Sequence, residues 1–292
     1  MHYNKKYFIF FLFAALILAR ISLAPICLAN GPVHAAALQK ERSIADEFLN
    51  EELVYEIGFW FFDEVAIGKV SIRQGENGEY IATLKAYTTG VVDRIVKHRE
   101  DEYVSRLKLS EKGKRFVTLS FEKTIRIGRQ TRHSLTVLDY DKMVMSQVSK
   151  KDGNIEKNET IELPRGKYFD DPLAAFYNFR YGVYGPLEEG REYTIYSFPK
   201  GGHIPKIYLN IASKKEKELR GKSKGEFLAH ARIDKELFGS QTGEIDIFFN
   251  SDMLPIEAVA KELLFFGDVR GKLTQSGSLT EKRRAFLPVT AK

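Results

Sequence analysis

The histidines that could serve chemistry are scattered along this sequence. They are His34, His98, His133, His203 and His230. None forms an H-x-H or H-E-x-x-H motif or a pair at helical spacing, so a metal site would need distant residues to meet. A Walker-type phosphate-binding loop and a G-x-G-x-x-G motif are also absent. We therefore expect no metal, no cofactor and no catalytic residue, and the protein is predicted not to be an enzyme.

Two adjacent acids, Asp170 and Asp171, have the composition of an acid/base pair. Asp171 has a simpler interpretation, because an aspartate directly before a proline is a typical helix start. Its carboxylate can accept N–H groups of the first turn, and Pro172 at the first helical position loses no hydrogen bond. With Gly182 as a natural stop, the sequence predicts a helix between these caps and a structural role for Asp171 and Pro172.

This helix is apolar almost all round, because Asn178 and Arg180 are the exceptions among aliphatic and aromatic residues. Such a helix should be largely enclosed. A guanidinium there must be paired or reach water, since an unpaired buried charge costs several kcal/mol. Either Arg180 pairs with an acid on a strand and holds the helix in place, or Arg180 anchors the anionic head of a ligand whose apolar body contacts Phe176 and Tyr177.

Three stretches of the sequence resemble one family. The run from Asp171 to Arg180, DPLAAFYNFR, is similar to a signature of the DUF3108 family of exported bacterial proteins. The stretch from Phe48 to Tyr55, together with Gly68, resembles the opening strand of that family. Asn250 to Ile256 resembles its late strand and turn. The resemblance spans residues 48–276.

The resemblance implies an exported protein and assigns no function, as the family name itself records. It also implies that Asp252 and Pro255 belong to a turn, where their role is structural.

The first 29 residues are typical of a cleaved signal peptide. Lys5 and Lys6 give a positive start, and an apolar stretch of about thirteen residues follows from Tyr7 to Ala19. Small residues at Ala29 and again at 35–37 offer cleavage sites, the later one as far as residue 37. The alternative is a membrane anchor, but a span needs about twenty apolar residues and Arg20 interrupts this one. We expect an exported protein in the periplasm of a Gram-negative envelope, touching the membrane only through this segment.

Cys27, the single cysteine, lies inside the signal segment. Ile26 precedes it, whereas a lipoprotein signal would have a small residue there. The mature chain is therefore expected to have neither a disulfide nor a thiol nucleophile. Its stability must come from a core large enough to do without disulfides.

The formal net charge of +6 overstates the basic character of the mature chain. Lys5, Lys6 and Arg20 have no acid to balance them in the signal segment, so cleavage leaves about +3. A nearly balanced exported protein is not expected to bind nucleic acid. Basic clusters at 106–115, 214–224 and 282–284 are interpreted as solvated hairpin tips or a tail.

From Glu51 onward the apolar period is two rather than 3.6, which predicts strands. About fourteen of them alternate with turns of two to five residues, such as Gly75 to Gly78 and Lys151 to Asn154. Loops this short connect antiparallel strands. The fold class is therefore mainly β: an antiparallel sheet wrapped as a barrel, roll or spiral around one central α-helix.

No long linker divides the chain, so one DUF3108-like β domain is expected over 48–276. A lead-in at 30–47 precedes it and a polar tail at 277–292 follows. The leading hypothesis is a non-catalytic protein that binds or carries an apolar or amphipathic, lipid-like ligand, with Arg180, Tyr177 and Phe176 as ligand-binding residues. The alternatives are an envelope scaffold that contacts other envelope proteins and an enzyme of unrecognised type.

Overall fold

The structure, a computed structural model, describes residues 42–59, 62–200, 203–219, 226–233, 241–263 and 267–277. The expected signal peptide with Cys27, the lead-in up to residue 41 and the tail from residue 278 lie outside the described residues. Within those ranges, no helix has both the length and the apolar character that crossing a membrane requires.

Fourteen strands and four helices make up the described part of the chain. The helices are α1 (Ile44–Phe48), α2 (Gly90–Ile95), α3 (Pro172–Tyr181) and α4 (Lys214–Leu219). The strands before α3 are β1 (Glu52–Phe59), β2 (Phe62–Gln74), β3 (Tyr80–Thr88), β4 (Arg99–Leu109), β5 (Phe116–Ile127), β6 (Gln130–Asp139), β7 (Val144–Lys151) and β8 (Asn154–Glu162). The strands after α3 are β9 (Glu192–Tyr196), β10 (Lys206–Ile211), β11 (Phe227–Arg232), β12 (Glu244–Phe249), β13 (Pro255–Leu263) and β14 (Gly267–Gly277).

All fourteen strands form one antiparallel sheet in the order β8-β7-β6-β5-β4-β3-β2-β1-β14-β13-β12-β11-β10-β9. The first strand pairs with both β2 and β14, so two ladders of consecutive hairpins meet in the middle of the sheet. This confirms the prediction of a mainly β, antiparallel fold.

Among the described residues β8 and β9 are the two edges, with no hydrogen-bonded ladder between them. The barrel alternative, in the sense of a closed sheet, is therefore wrong for this part of the chain. Side chains bring the edges together instead, because Ile161 of β8 and Tyr196 of β9 both pack against a small apolar cluster. That cluster consists of Leu138, Met145, Leu163 and Phe169.

The prediction of a single helix is wrong, because α1, α2 and α4 are additional helices of five or six residues. Each is too short to establish a 3.6-residue period in the sequence. The start of α1 shows a local signal, since Ser43 and Asp46 form a reciprocal capping box. Such a box without a following apolar run is easily read as a loop.

Helix α3 begins and ends at the residues that its sequence indicates. Asp171 is the N-cap and Gly182 adopts a left-handed φ of 86°, which glycine does without strain. Every residue from Leu173 to Arg180 is buried. Its nearest elements are α1, β3, β4 and β5, and its side chains belong to a core that also includes residues of β1 and β9 to β14.

Candidate functional site

Arg180 is buried in this core, with 1% of its side chain exposed, and it forms an ion pair with the equally buried Glu51. Both terminal nitrogens donate to the carboxylate, Nη2 to Oε2 at 2.6 Å, and Nε donates to the backbone carbonyl of Met253 at 3.1 Å. Burial alone would lower the pKa of Arg180, but Glu51 raises it overall. All three guanidinium nitrogens therefore donate hydrogen bonds, which offsets the free-energy cost of burying the charge.

The two aromatic residues predicted to contact a ligand lie beside this ion pair. The guanidinium is 4.6 Å from the ring centre of Phe176, 4.6 Å from that of Phe48 and 5.9 Å from that of Tyr177. Both Phe176 and Tyr177 are buried. The geometry favours the internal ion pair that holds the helix in place, and the ligand-anchor role of these residues stays a prediction.

The carboxylate of Asp171 is used entirely inside the protein. It accepts the N–H groups of Leu173 at 2.7 Å and Ala174 at 3.1 Å, and the hydroxyls of Ser105 and Thr118 also donate to it. Burial raises the pKa of Asp171, while these hydrogen bonds oppose the rise. Because strands β4 and β5 supply the hydroxyls, Asp171 ties the helix start to the sheet.

Its neighbour Asp170 has a different set of partners. Arg115 and the Tyr184 hydroxyl donate to one carboxylate oxygen, and Asn178 donates to the other at 3.3 Å. Burial raises the pKa of Asp170, and Arg115 is the main opposing influence. The two acids therefore do not converge on one point, as an acid/base pair acting on one substrate would.

The turn before β13 supports the helix from the other side. Asn250 stabilises this turn, because its side-chain oxygen accepts a hydrogen bond from the N–H of Leu254 at 2.9 Å. The carbonyl of Pro255 accepts the buried Tyr55 hydroxyl at 3.1 Å. Met253 presents its carbonyl to Arg180, whereas Asp252 is exposed at the turn.

A second group of buried charges, which the sequence analysis did not predict, lies on β4 and β5. Arg99 and Asp101 form a two-bond ion pair, Nε to Oδ1 at 2.8 Å and Nη2 to Oδ2 at 2.9 Å, and both side chains are buried. Alternation along β4 places Tyr103 on the same face, and Lys123 of β5 lies opposite Tyr103 in the ladder. We call Arg99, Asp101, Tyr103 and Lys123 the β4–β5 cluster.

Lys123 is half-buried, and its ammonium lies 5.0 Å from the ring centre of Tyr103. Burial lowers the pKa of Lys123 from 10.5 to about 8, with Asp101 opposing the shift and Arg99 adding to it. The unfolded chain therefore binds the proton more tightly. The charged lysine costs stability at neutral pH, and that cost disappears as the pH rises from about 8 towards 10.5. A nearby anion would stabilise the ammonium form.

The hydroxyl of Tyr103 is buried, with 2% of the residue exposed, and has no hydrogen-bond partner among the described residues. Burial raises the pKa of Tyr103 well above its usual value, and Asp101 acts in the same direction. An unsatisfied buried hydroxyl costs roughly 1–3 kcal/mol. The β4–β5 cluster thus combines two cations, one carboxylate and an unused donor, a set that can hold an anionic group.

The histidines that are described each lie near a different part of the sheet. His133 bonds Glu122 at 2.7 Å on the surface, and His230 lies between Asp246, 2.6 Å from Nδ1, and Glu216, 3.2 Å from Nε2. Across the described ranges no group of three or more His, Cys, Asp or Glu side chains could hold a metal ion.

A cleft of about 220 Å³ on the outer face of β10 to β13 includes His230, Asp246 and Lys261. The Lys261 ammonium is 2.7 Å from Asp246. Among the described residues that line this cleft there is no serine, threonine or cysteine. A G-x-S-x-G match also occurs in the sequence at 221–225, outside the described residues. It follows a helix and precedes a strand, the reverse of the order that a nucleophile turn requires.

Comparison with known proteins gives a family and little more. A family model described as "Protein of unknown function (DUF3108)" matches residues 54–274. No curated protein matches this chain. A solved structure that is similar is the crystal structure of a beta-barrel-like protein of the domain of unknown function DUF1849 from Brucella abortus. It is 13% identical and covers 79% of this chain and 98% of its own, with a TM-score of 0.40. At that score the likeness does not establish a common fold.

Proposed function

This chain belongs to the DUF3108 family, and we propose that it is an exported, non-catalytic protein of the periplasm that binds an amphipathic, lipid-like ligand. The observation that carries the proposal is the buried hydroxyl of Tyr103, which has no hydrogen-bond partner among the described residues and lies beside Lys123. An anionic head group would accept from both.

The position of Lys123 supports an anionic ligand. Its ammonium is the cation of the β4–β5 cluster that lies beside Tyr103, 5.0 Å from the ring centre. An anion beside Lys123 would be attracted more strongly than in water, because the site is partly buried.

The surroundings of the cluster suit an apolar ligand body. The ring of Phe121 packs edge-on against Tyr103, with ring centres 5.9 Å apart, and in a tilted arrangement against Phe198, with ring centres 6.1 Å apart. Ile125 and Ile127 lie on the same face of β5 and are buried. A ligand with its head at Lys123 would have aromatic and branched aliphatic surface on either side.

The proposal includes a sheet that curves as a roll or spiral around α3. Support comes from the core, where side chains of α3 share one cluster with residues of both ladders. The small apolar cluster that receives side chains from both edge strands points in the same direction.

Native mass spectrometry of protein purified from its own envelope tests the proposal. We expect a retained lipid in the wild type and at least a tenfold loss of it in Lys123→Met and in Tyr103→Phe. Lys85→Met is the matched control, because Lys85 is an exposed lysine of β3 paired with Glu102. Absence of lipid from the wild type and failure to bind a fluorescent fatty acid would contradict the proposal. Equal lipid content in all three variants would contradict the site.

An envelope scaffold is the second candidate, favoured by the open edge of β8. This strand of nine residues has no neighbour on one side within the described part of the sheet, and Ile155 is exposed there. Its charged side chains, among them Glu156 and Lys157, are the kind that protect an edge from pairing. Loss of a copurifying envelope protein on substitution of Ile155 would favour this candidate.

A further inference from the structure

Helix α2 presents an apolar surface that the proposed ligand site does not use. Val91 and Ile95 are 74% and 73% exposed, more than any other large hydrophobic residue of the described chain. They are four positions apart and share one face of the helix. Tyr87, at the end of the preceding strand, is also about half exposed. Adjacent exposed branched side chains of this kind mark an interaction surface.

Three exposed cations belong to α2 or to segments connected to it. Arg94 and Lys97 belong to the same segment, and Arg129 lies in the β5–β6 turn. That turn is tied to the segment because the N–H of Gly128 donates to the carbonyl of Lys97 at 2.7 Å. Within the described residues, none of the three cations forms an ion pair.

Two acids near this face have partners of their own. Asp93 is bonded to the Thr88 hydroxyl and to His98, and Glu100 pairs with Arg126. Asp63 and Glu64 are exposed at the start of β2, and the Glu64 carbonyl accepts the hydroxyl of Thr89, the residue before α2. Among the described residues, neither of these two acids forms an ion pair with Arg94, Lys97 or Arg129.

We propose that this α2 surface, made of Val91, Ile95, Arg94, Lys97 and Arg129, docks on an anionic phospholipid bilayer. Branched aliphatic side chains at the acyl boundary and cations at the head groups are the two components of peripheral membrane binding. The helix is too short to insert further, so the attachment is reversible and weakens as salt screens the cations.

Docking through α2 would bring one end of the β4–β5 cluster close to the bilayer, although the inference does not depend on the proposed function. The helix leads directly into β4, and Thr88 bonds both Asp93 and the backbone of Arg99. The α2 surface and the first residue of the β4–β5 cluster therefore lie at the same end of the sheet. A docked molecule would present that end to the bilayer.

Vesicle flotation of the mature protein tests the inference. We expect binding to vesicles that contain phosphatidylglycerol, little binding to pure phosphatidylcholine vesicles, and release at high salt. The paired substitution Val91→Ser with Ile95→Ser and the triple substitution Arg94→Gln, Lys97→Gln and Arg129→Gln should each reduce binding at least tenfold. Ile155→Ser, an exposed branched residue on β8, is the matched control and should bind as the wild type does.

Equal binding by all variants, equal binding to both vesicle types, or no binding by the wild type would overturn the inference. So would a dimer in solution that the paired substitution converts to a monomer, with no vesicle binding, since the face would then join two copies of this chain. The charge variant and the salt titration keep the test decisive if the paired substitution unfolds α2. Lys123→Met should still float with anionic vesicles, which separates this result from the lipid-retention experiment.

Discussion

Arg180 shows how a single residue can be anticipated without its partner. Composition alone predicts that a guanidinium on an apolar helix is paired or reaches water, because an unpaired buried charge is costly. The partner is Glu51, 129 positions earlier and directly before β1. Four other acids lie within five residues of Glu51, and no local sequence pattern shows that Glu51 is the buried one.

The ion pair predicts an asymmetric response to substitution. Arg180→Met keeps much of the apolar stem but leaves the Glu51 carboxylate buried alone, and should cost roughly 3–5 kcal/mol in the free energy of unfolding. The double substitution with Glu51→Met should recover a large part of that loss, because no charge is then orphaned. Urea unfolding of the wild type, Arg180→Met, Glu51→Met and the double variant measures the coupling.

A different result would restore the ligand-anchor role of Arg180. Apo stability of Arg180→Met would then be nearly unchanged, while binding of a fluorescent fatty acid would fall at least tenfold, about 1.4 kcal/mol.

The residues of the β4–β5 cluster could not be identified as a buried group from the sequence. From Arg99 to Tyr103 every position except the last is charged, so alternation could not tell the inner face from the outer one. Arg99 and Asp101 lie on the buried face of β4. Their orientation becomes clear from the pairing of β4 with β5 and not from the sequence pattern. A buried ion pair of this kind leaves no signal in hydrophobic periodicity.

At the scale of elements, α3 is the part of the molecule that its sequence specifies most completely. Proline, aspartate and glycine at its ends act through local backbone chemistry, and its apolar circumference requires burial. The hairpins are similarly local. The apolar pattern predicts strands over Tyr80 to Thr88, Tyr103 to Leu109 and Phe116 to Phe121. β3 has these bounds, whereas β4 begins earlier and β5 ends later because ladder hydrogen bonds continue through their charged residues.

The enclosure of α3 predicts a large effect of truncating its central aromatic residue. Phe176→Ala removes a fully buried ring that packs against Tyr177 at 4.5 Å, and should lower the free energy of unfolding by roughly 3–5 kcal/mol. Tyr87→Ala, a half-exposed aromatic of β3, is the control and should change it by much less. Chemical denaturation of both variants is the measurement. A loss of about 0.5 kcal/mol or less for Phe176→Ala would place the ring in a surface environment.

At the scale of the whole molecule, the sheet depends on a contact that hairpin reasoning does not supply. The strands of each ladder follow one another along the chain, and among the described strands the two ladders are joined by the pairing of β1 with β14. Glu52 and Gly277 pair there although nearly the whole described chain lies between them. Local turn signals predict neighbours in sequence and give no information on such a long-range pairing, which explains why strand number was predictable and strand order was not.

The expectation of export belongs to the whole chain and gives the last prediction. If the first 29 to 37 residues are a cleaved signal, the mature protein isolated from cells should begin between about Asn30 and Leu38 and fractionate with the periplasm. Its core would then be assembled after translocation, without a cysteine, and free-thiol labelling of the mature protein should be negative. N-terminal sequencing and cell fractionation are the measurements. Full-length protein in a membrane pellet that resists salt and carbonate washes would instead make the first segment an anchor, and it would tether the α2 surface to a bilayer without any need for its exposed cations.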